Sequence, residues 1–199
     1  MPDFSFEKEL QAKGFKYICG IDEAGRGPLS GPVVAAACIL PFDSDIKELN
    51  DSKKLSEKKR DILFDIIKEK AISFGIGMAS PSEIDEINIL NATMLAMHRA
   101  LEAMPIKPDF ALIDGNVSRG FNIPTQTVVK GDSLSCSISA ASILAKVTRD
   151  RICQEDAEKY PEYNFKKHKG YSTKEHMDIL RRLGPCPIHR KTFLKFLGE

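Results

Sequence analysis

Five short apolar runs, at 16–22, 32–40, 72–79, 109–114 and 125–130, set the frame of this chain. Each is rich in β-branched residues or alanine and shorter than an ordinary helix, so each predicts a strand. Between and after them lie stretches of helical period at 56–70, 82–104, 133–159 and 172–183, with a short one near 189–197. In the first, Ile62, Phe64, Ile66 and Ile67 keep a helical stripe after Ser56. Ser82-Glu83-Ile84-Asp85 opens the second with acids in its first turn, which the helix dipole favours, and Pro105 stops it. Gly184-Pro185 stops the helix that carries Met177, Leu180 and Leu183. A hairpin-like start followed by alternation of strand and helix predicts an α/β fold, a mixed sheet with helices on both faces.

No repeat, low-complexity tract or Gly/Ser linker divides the 199 residues, so a single domain is expected. Within it, about 1–158 reads as the core and about 159–199 as a helical extension. A chain of this size buries roughly 70% of its unfolded surface and needs no covalent staple.

Three of the strands lead into acids. Asp22 and Glu23 close Tyr17-Ile18-Cys19-Gly20-Ile21, Asp114 closes Phe110-Ala111-Leu112-Ile113, and Asp132 follows Thr127-Val128-Val129 just before a helix. Carboxylates that converge from separate strand ends repel one another unless a cation sits between them. Hard oxygen ligands of this kind suit Mg²⁺ or Mn²⁺. Two such ions about 4 Å apart clamp the attacking and leaving oxygens of a phosphodiester.

Each acid also has a plainer reading. Asp22-Glu23 can be a polar turn between hairpin strands, and in a continuing strand the two would face opposite sides. A shared site therefore requires β-structure to end or bulge there. Asp114-Gly115 is a strong turn dipeptide. Asp132 is placed to cap the helix that follows. Gly25 and Gly27 allow close backbone approach to a ligand, and Arg26 between them can reach a phosphate. Lys53 and Lys54, in Asp51-Ser52-Lys53-Lys54-Leu55-Ser56, are either a solvated pair or phosphate contacts. Tyr171, in His168-Lys169-Gly170-Tyr171, can stack on a sugar or base, or pack.

Charge separates the two ends of the chain. Residues 1–129 hold 15 basic and 19 acidic groups, whereas residues 130–199 hold 14 and 9. From Lys159 to Lys195 there are ten Lys or Arg against three acids, interleaved with Tyr160, Tyr163, Phe165, Tyr171 and Phe193. A basic segment with aromatics suits a polyanion that carries sugars and bases, although a solvated helical surface has the same composition. No apolar run reaches 18 residues and no signal-like start is present, so no membrane partner is expected. Five cysteines without a Cys-x-x-Cys pair read as free thiols of a cytoplasmic protein. Cys186 and His189 have a ligand-like spacing, which is weak evidence for zinc.

Taken together the motifs resemble those of bacterial ribonuclease HII. They are Asp-Glu-Ala-Gly-Arg-Gly-Pro at 22–28, Asp-Ser-Lys-Lys-Leu at 51–55, Asp-Gly-Asn at 114–116 and Lys-Gly-Asp at 130–132. Ala-Ala-Ser-Ile-Leu-Ala-Lys-Val-Thr-Arg-Asp at 140–150, Tyr-Pro-Glu-Tyr-Asn-Phe at 160–165, His-Lys-Gly-Tyr at 168–171 and His-Arg-Lys-Thr-Phe at 189–193 complete the set. The resemblance implies a ribonuclease H-like fold with a five-stranded mixed sheet, flanking helices and a C-terminal helical part. It implies metal-dependent cleavage of RNA in RNA–DNA hybrids, and of duplex DNA 5′ to an embedded ribonucleotide, leaving 3′-hydroxyl and 5′-phosphate ends. By position Asp22, Glu23, Asp114 and Asp132 match the family's catalytic, metal-holding acids. Gly25, Arg26 and Gly27 match the loop that senses the 2′-hydroxyl, and Tyr171 the tyrosine beside it. Lys53 and Lys54 are assigned to substrate phosphates, and a monomer is expected. Ribonuclease HIII is similar too, but it typically has Gly-Thr-Gly in that loop and an extra N-terminal domain. Arg26 and the short lead before the first strand favour HII.

Overall fold

The structure, a computed structural model, describes residues 1–46, 48–49, 52 and 55–198. The chain runs α1 (Ser5–Ala12), β1 (Ile18–Ala24), β2 (Val33–Ile39), α2 (Glu57–Lys70), β3 (Ser73–Ala79), α3 (Pro81–Ala103), β4 (Phe110–Asp114), β5 (Thr125–Val128), α4 (Cys136–Lys159), α5 (Phe165–His168) and α6 (Lys174–Leu183). The expected five-stranded mixed sheet is present, in the order β3-β2-β1-β4-β5. β2 pairs antiparallel with β1 and with β3. β4 pairs parallel with β1 and with β5. β1 therefore lies at the centre, and it and β4 deliver their C-terminal ends to the same edge.

The strands are apolar on both sides because helices cover both faces. On one face Cys19, Ile21, Val33, Ala35 and Ala37 pack with Ala92, Ala96, Met97 and Ala100 of α3. On the other, Ala36 and Cys38 pack with Leu63, Phe64 and Ile67 of α2 and with Ala140, Ala141, Ile143 and Leu144 of α4. The near-continuous run of small and apolar residues at the start of α4 follows from this burial. A Cβ on Gly20 would lie 2.1 Å from the backbone nitrogen of Ile138. Only glycine lets α4 come this close to the central strand.

Local chemistry moves several boundaries. α3 starts at Pro81 rather than Ser82: Ser80 accepts from Glu83 N while the Glu83 carboxylate accepts from Ser80 N, a full capping box. It is also interrupted, since Asn88 sits at φ 67 and its side chain recaps the chain through Leu90 N and Asn91 N. α4 is capped by Ser135, which accepts from Ile138 N, and not by Asp132. The short C-terminal helix expected near 189–197 is two 3₁₀ turns, Lys191–Phe193 and Lys195–Leu197. α1 has no counterpart among the sequence expectations. Its buried Glu7 accepts from Ser135 Oγ (2.6 Å) and Ser137 N (3.0 Å), which ties the N-terminus to the start of α4.

Candidate active site

β1 runs through Asp22 and Glu23 without a bulge, in register with Ala36 and Ala35 of β2. The expected break in the strand does not occur. The pleat puts Gly20 and Asp22 under α4, on the side of Ser142. Asp22 Oδ1 accepts from Glu23 N at 2.7 Å. The carboxyl is held well above the usual carboxylate range. Burial is the main cause, and the charges of Glu23 and Asp114 add to it; the Ser142 hydroxyl and Glu23 N work against it.

Asp114 ends β4, one residue past the pairing of Ile113 with Ile21. Its Oδ1 accepts from Gly131 N at 2.6 Å. That bond fastens the loop in which Lys130, at φ 59, turns the chain into the Gly131–Ser133 3₁₀ turn. Asp132 is buried in this turn, adjacent to Gly131. The parallel β1–β4 pair thus brings Asp22, Glu23 and Asp114 within mutual electrostatic reach, and one hydrogen bond brings Asp132 to their edge.

Glu23 lines a groove of about 420 Å³ together with Gly25, Arg26, Gly27, Lys146 and Tyr171, among others. Gly25 has φ 93, and a Cβ there would press to 2.9 Å on Pro32 O and 3.0 Å on Arg149 Nε. Arg26 Nη1 donates to Glu23 Oε1 at 3.2 Å. A Cβ on Gly27 would stand 3.7 Å from the Tyr171 ring, so tyrosine and loop face each other across the groove. Tyr171 is 46% exposed, which leaves an aromatic surface open to a ligand.

Two buried arginines hold this loop from behind. Arg190 Nε donates to Gly31 O (3.0 Å), Nη1 to Arg26 O (2.9 Å) and Nη2 to Gly25 O (2.6 Å). Arg149 donates to Ser30 O (3.1 Å) and to Lys169 O (2.6 Å). Beside them Asp150 binds Lys146 (2.6 Å) and Lys169 (2.9 Å). Burial alone would raise Asp150, yet these two ammonium groups keep it below the usual range.

The donor set at the acids is all oxygen, partly buried and mutually repelling, which is the chemistry that suits a hard divalent cation. A cation there would reverse the cost that now raises Asp22. Among the described residues no three acidic, histidine or cysteine side chains already close into a metal cage.

The family model described as Ribonuclease HII matches residues 19–196. The chain belongs to that family. It is 56% identical over 190 residues to the ribonuclease HII of Clostridioides difficile (strain 630), covering 96% of this chain and 74% of that one. With the ribonuclease HII of Caldicellulosiruptor saccharolyticus it is 50% identical over 192 residues, covering 96% and 94%. Among solved structures, ribonuclease H2 from Pyrococcus horikoshii OT3 superposes with a TM-score of 0.73 at 28% identity, over 89% of this chain and 93% of that one. The fold is therefore the ribonuclease H-like fold that the motifs implied, and the activity is that of a ribonuclease H, a hydrolytic endonuclease.

Of the residues singled out in the sequence, Asp22, Glu23, Asp114 and Asp132 gather at one sheet edge, and Gly25, Arg26, Gly27 and Tyr171 form one groove beside them. Lys53 and Lys54 lie outside the described residues. Sequence reasoning assigned no role to Ser142, Lys146, Arg149 or Asp150, although their spacing along α4 puts polar side chains on one stripe of an otherwise buried helix. It also missed Ser52, whose hydroxyl lies 2.9 Å from that of Ser142, and Arg60, which donates to Ser52 O at 3.0 Å. A polar stripe inside an apolar helix is the signal that could have found the α4 residues.

Proposed function

We propose that this chain is a metal-dependent endonuclease that cleaves the RNA strand of RNA–DNA hybrids and cuts duplex DNA 5′ to embedded ribonucleotides, leaving 3′-hydroxyl and 5′-phosphate ends. The observation that carries the reading is Asp22, a buried carboxyl pressed by Asp114 and by Glu23, the acid that lines the Gly25–Tyr171 groove. Asp22, Glu23, Asp114 and Asp132 are the residues that would hold Mg²⁺ or Mn²⁺. When bound, the ion supplies Lewis acidity to activate water and to stabilise charge on the scissile phosphate and its leaving oxygen.

The remaining roles belong to the chain's own groups. The Ser142 hydroxyl, held at 2.9 Å from that of Ser52, favours the ionised Asp22 carboxylate. The backbone of Gly25–Gly27 comes within reach of the ribose, Tyr171 packs against the neighbouring sugar, and Arg26, Lys53 and Lys54 meet phosphates. The 2′-hydroxyl is what separates RNA from DNA at such a site. Polar groups left unpaired by an all-DNA strand reject it by a large factor.

The molecule is proposed to act as a monomer in the cytoplasm; its five cysteines are free, and no helix among the described residues is long and apolar enough to cross a membrane. We take 1–199 as one domain, because the Arg190 and Arg149 bonds join the extension at about 159–199 to the loop after β1.

The test is incubation with a duplex holding one ribonucleotide, with Mg²⁺ or Mn²⁺ and with a chelator control, followed by end analysis. One cut 5′ to the ribonucleotide, dependent on the ion, is expected. Equal cutting of all-DNA duplex, or cutting unchanged by the chelator, would overturn the reading.

A further inference from the structure

Three of the four histidines form a buried cluster behind Tyr171. His168 and His176 stack with ring centres 4.1 Å apart and 14° between planes. His176 Nε2 lies 3.0 Å from His189 Nε2. The outer contacts decide which nitrogen carries each proton, because a carbonyl only accepts and a backbone N–H only donates. His176 Nδ1 meets Tyr171 O at 2.9 Å, so Nδ1 is protonated and Nε2 is bare. His189 Nε2 must then donate to His176, leaving His189 Nδ1 to accept from Cys186 N at 3.0 Å. His168 Nε2 donates to Tyr163 O at 2.7 Å, and its Nδ1 accepts from Gly170 N at 3.2 Å. His189 Nδ1 also lies 3.2 Å from Cys186 O, the one contact that this set of tautomers leaves without a proton; the shorter approach of Cys186 N and the bare Nε2 of His176 assign Nδ1 as the acceptor. A second proton on His168 or His176 would face another N–H.

The network connects the two halves of the groove. Tyr171 N donates to His168 O, and Gly170 O accepts from Leu29 N at 2.8 Å. His189 pairs with Ser30 in an isolated antiparallel bridge, flanked by Gly31 N to Ile188 O and Arg190 N to Leu29 O. The Tyr171 backbone is thereby fastened through histidine rings to the segment that continues the Gly25–Gly27 loop.

We propose that His168, His176 and His189 are positioning residues that hold Tyr171 against the Gly25–Gly27 loop, each in a single neutral tautomer. The inference rests on the reading that this groove selects a ribonucleotide. The surroundings favour the uncharged rings. Burial lowers the basicity of all three, and His189, further opposed by His176, falls to about 4. The charged and titratable groups facing the cluster are Glu175 and Lys167, which act in opposite senses on His168, together with Cys186 and Tyr163 against His189. Acidification should therefore release Tyr171 when a second proton enters the network, below the usual histidine range.

Two measurements test this on the full chain. Long-range proton–nitrogen correlation of the histidine rings in the unliganded protein should show Nδ1–H for His176 and Nε2–H for His168 and His189. None of the three should titrate near the usual value of about 6.5. The opposite tautomer at His176 or His189, or a normal titration of either, overturns the proposal.

The second measurement compares His176→Leu, which loses the donor to Tyr171 O, with His176→Asn, whose amide can replace Nδ1–H. Tyr171 O keeps its bond from Thr173 N in both, so neither leaves an orphaned carbonyl. His176→Leu should lower kcat/KM at a lone ribonucleotide by about 100-fold, the cost of a displacement on the order of 1 Å. Affinity for all-DNA duplex should stay within about twofold, since the basic surface supplies it. His176→Asn should recover most of the loss. If wild type cuts at the ribonucleotide and a folded His176→Leu protein cuts equally well, the inference fails and the functional reading stands. If wild type itself does not cut there, the functional reading fails, and the ring tautomers still decide the network. Should His176→Leu not fold, the Asn variant and the tautomers decide.

Discussion

Replacing Arg190 with lysine tests how far the Gly25–Gly27 loop depends on a partner 165 residues away in sequence. Arg190 has no exposed surface and spends three donors on three backbone carbonyls. Its guanidinium also lies over the Phe193 ring, 5.2 Å from the centroid. A lysine ammonium is a point donor on a flexible stem and cannot span Gly25 O, Arg26 O and Gly31 O in one plane. If it keeps one of the two buried bonds, one buried and one partly buried charge-assisted bond are lost. At about 1.5–3 kcal/mol for each such bond, and with water reaching Arg26 O from the groove, the net cost is about 3 kcal/mol. That is a large part of an ordinary stability of about 5–15 kcal/mol, yet it leaves the protein folded at room temperature. The melting temperature should fall by about 6–12 °C for a chain of this size. Cleavage at a lone ribonucleotide should fall by about 100-fold as the loop loses register with the acids. Urea titration and single-turnover cleavage read the two effects. A variant within about 1 kcal/mol of wild type that cuts at the wild-type rate would refute the argument.

Asp22→Asn should reduce turnover by at least about 10³-fold with saturating Mg²⁺, since the amide keeps the bond from Glu23 N but loses the charge. In chelator the same variant should be more stable than wild type at neutral pH. A carboxyl whose folded value is raised penalises the native state while ionised, so the gain should vanish as pH falls below the unfolded value of about 3.9; an unchanged urea midpoint at pH 7 would contradict the raised carboxyl. Lys166→Glu with Lys167→Glu should raise KM and make its salt response shallower, with a smaller effect on kcat, although Lys167 already pairs with Glu175 at 2.7 Å. A fall in kcat at constant KM would move these lysines into the chemistry. Gly20→Ala should destabilise by about 3 kcal/mol or more and impair cleavage, because its Cβ would meet the Ile138 backbone at 2.1 Å and push α4 off the central strand; a stable, active variant would show that α4 can shift freely.

The five strands were legible in the amino-acid sequence, as were the positions of four acids at strand ends and a helix start. Five runs of β-branched and small apolar residues became five strands within one or two residues of their expected ends, because burial on both faces demands such composition wherever the strand lies. Asp22, Glu23, Asp114 and Asp132 were legible as strand-end acids, and longer motifs separated them from ordinary turns. Boundaries were less legible where a local hydrogen bond competed. Ser80 started α3 ahead of Ser82, Ser135 took the cap of α4 from Asp132, and Asn88 broke α3. α1 was not legible, since its one buried acid, Glu7, acquires meaning only against Ser135 and Ser137.

Tertiary structure alone decided which acids touch and what supports them. Asp22 and Asp114 meet because β1 and β4 are parallel neighbours, a pairing that strand composition does not encode. Asp22 and Glu23 follow one another in β1 with no bulge between them, and Glu23 is still near enough for its charge to act on Asp22. The groove exists because Arg190, Arg149 and the backbone bonds of Leu29 and Gly31 hold the C-terminal segment on the loop after β1. A hydrogen bond to a backbone carbonyl leaves no mark in the sequence of the residue that accepts it, so these supports could not be read from either end alone.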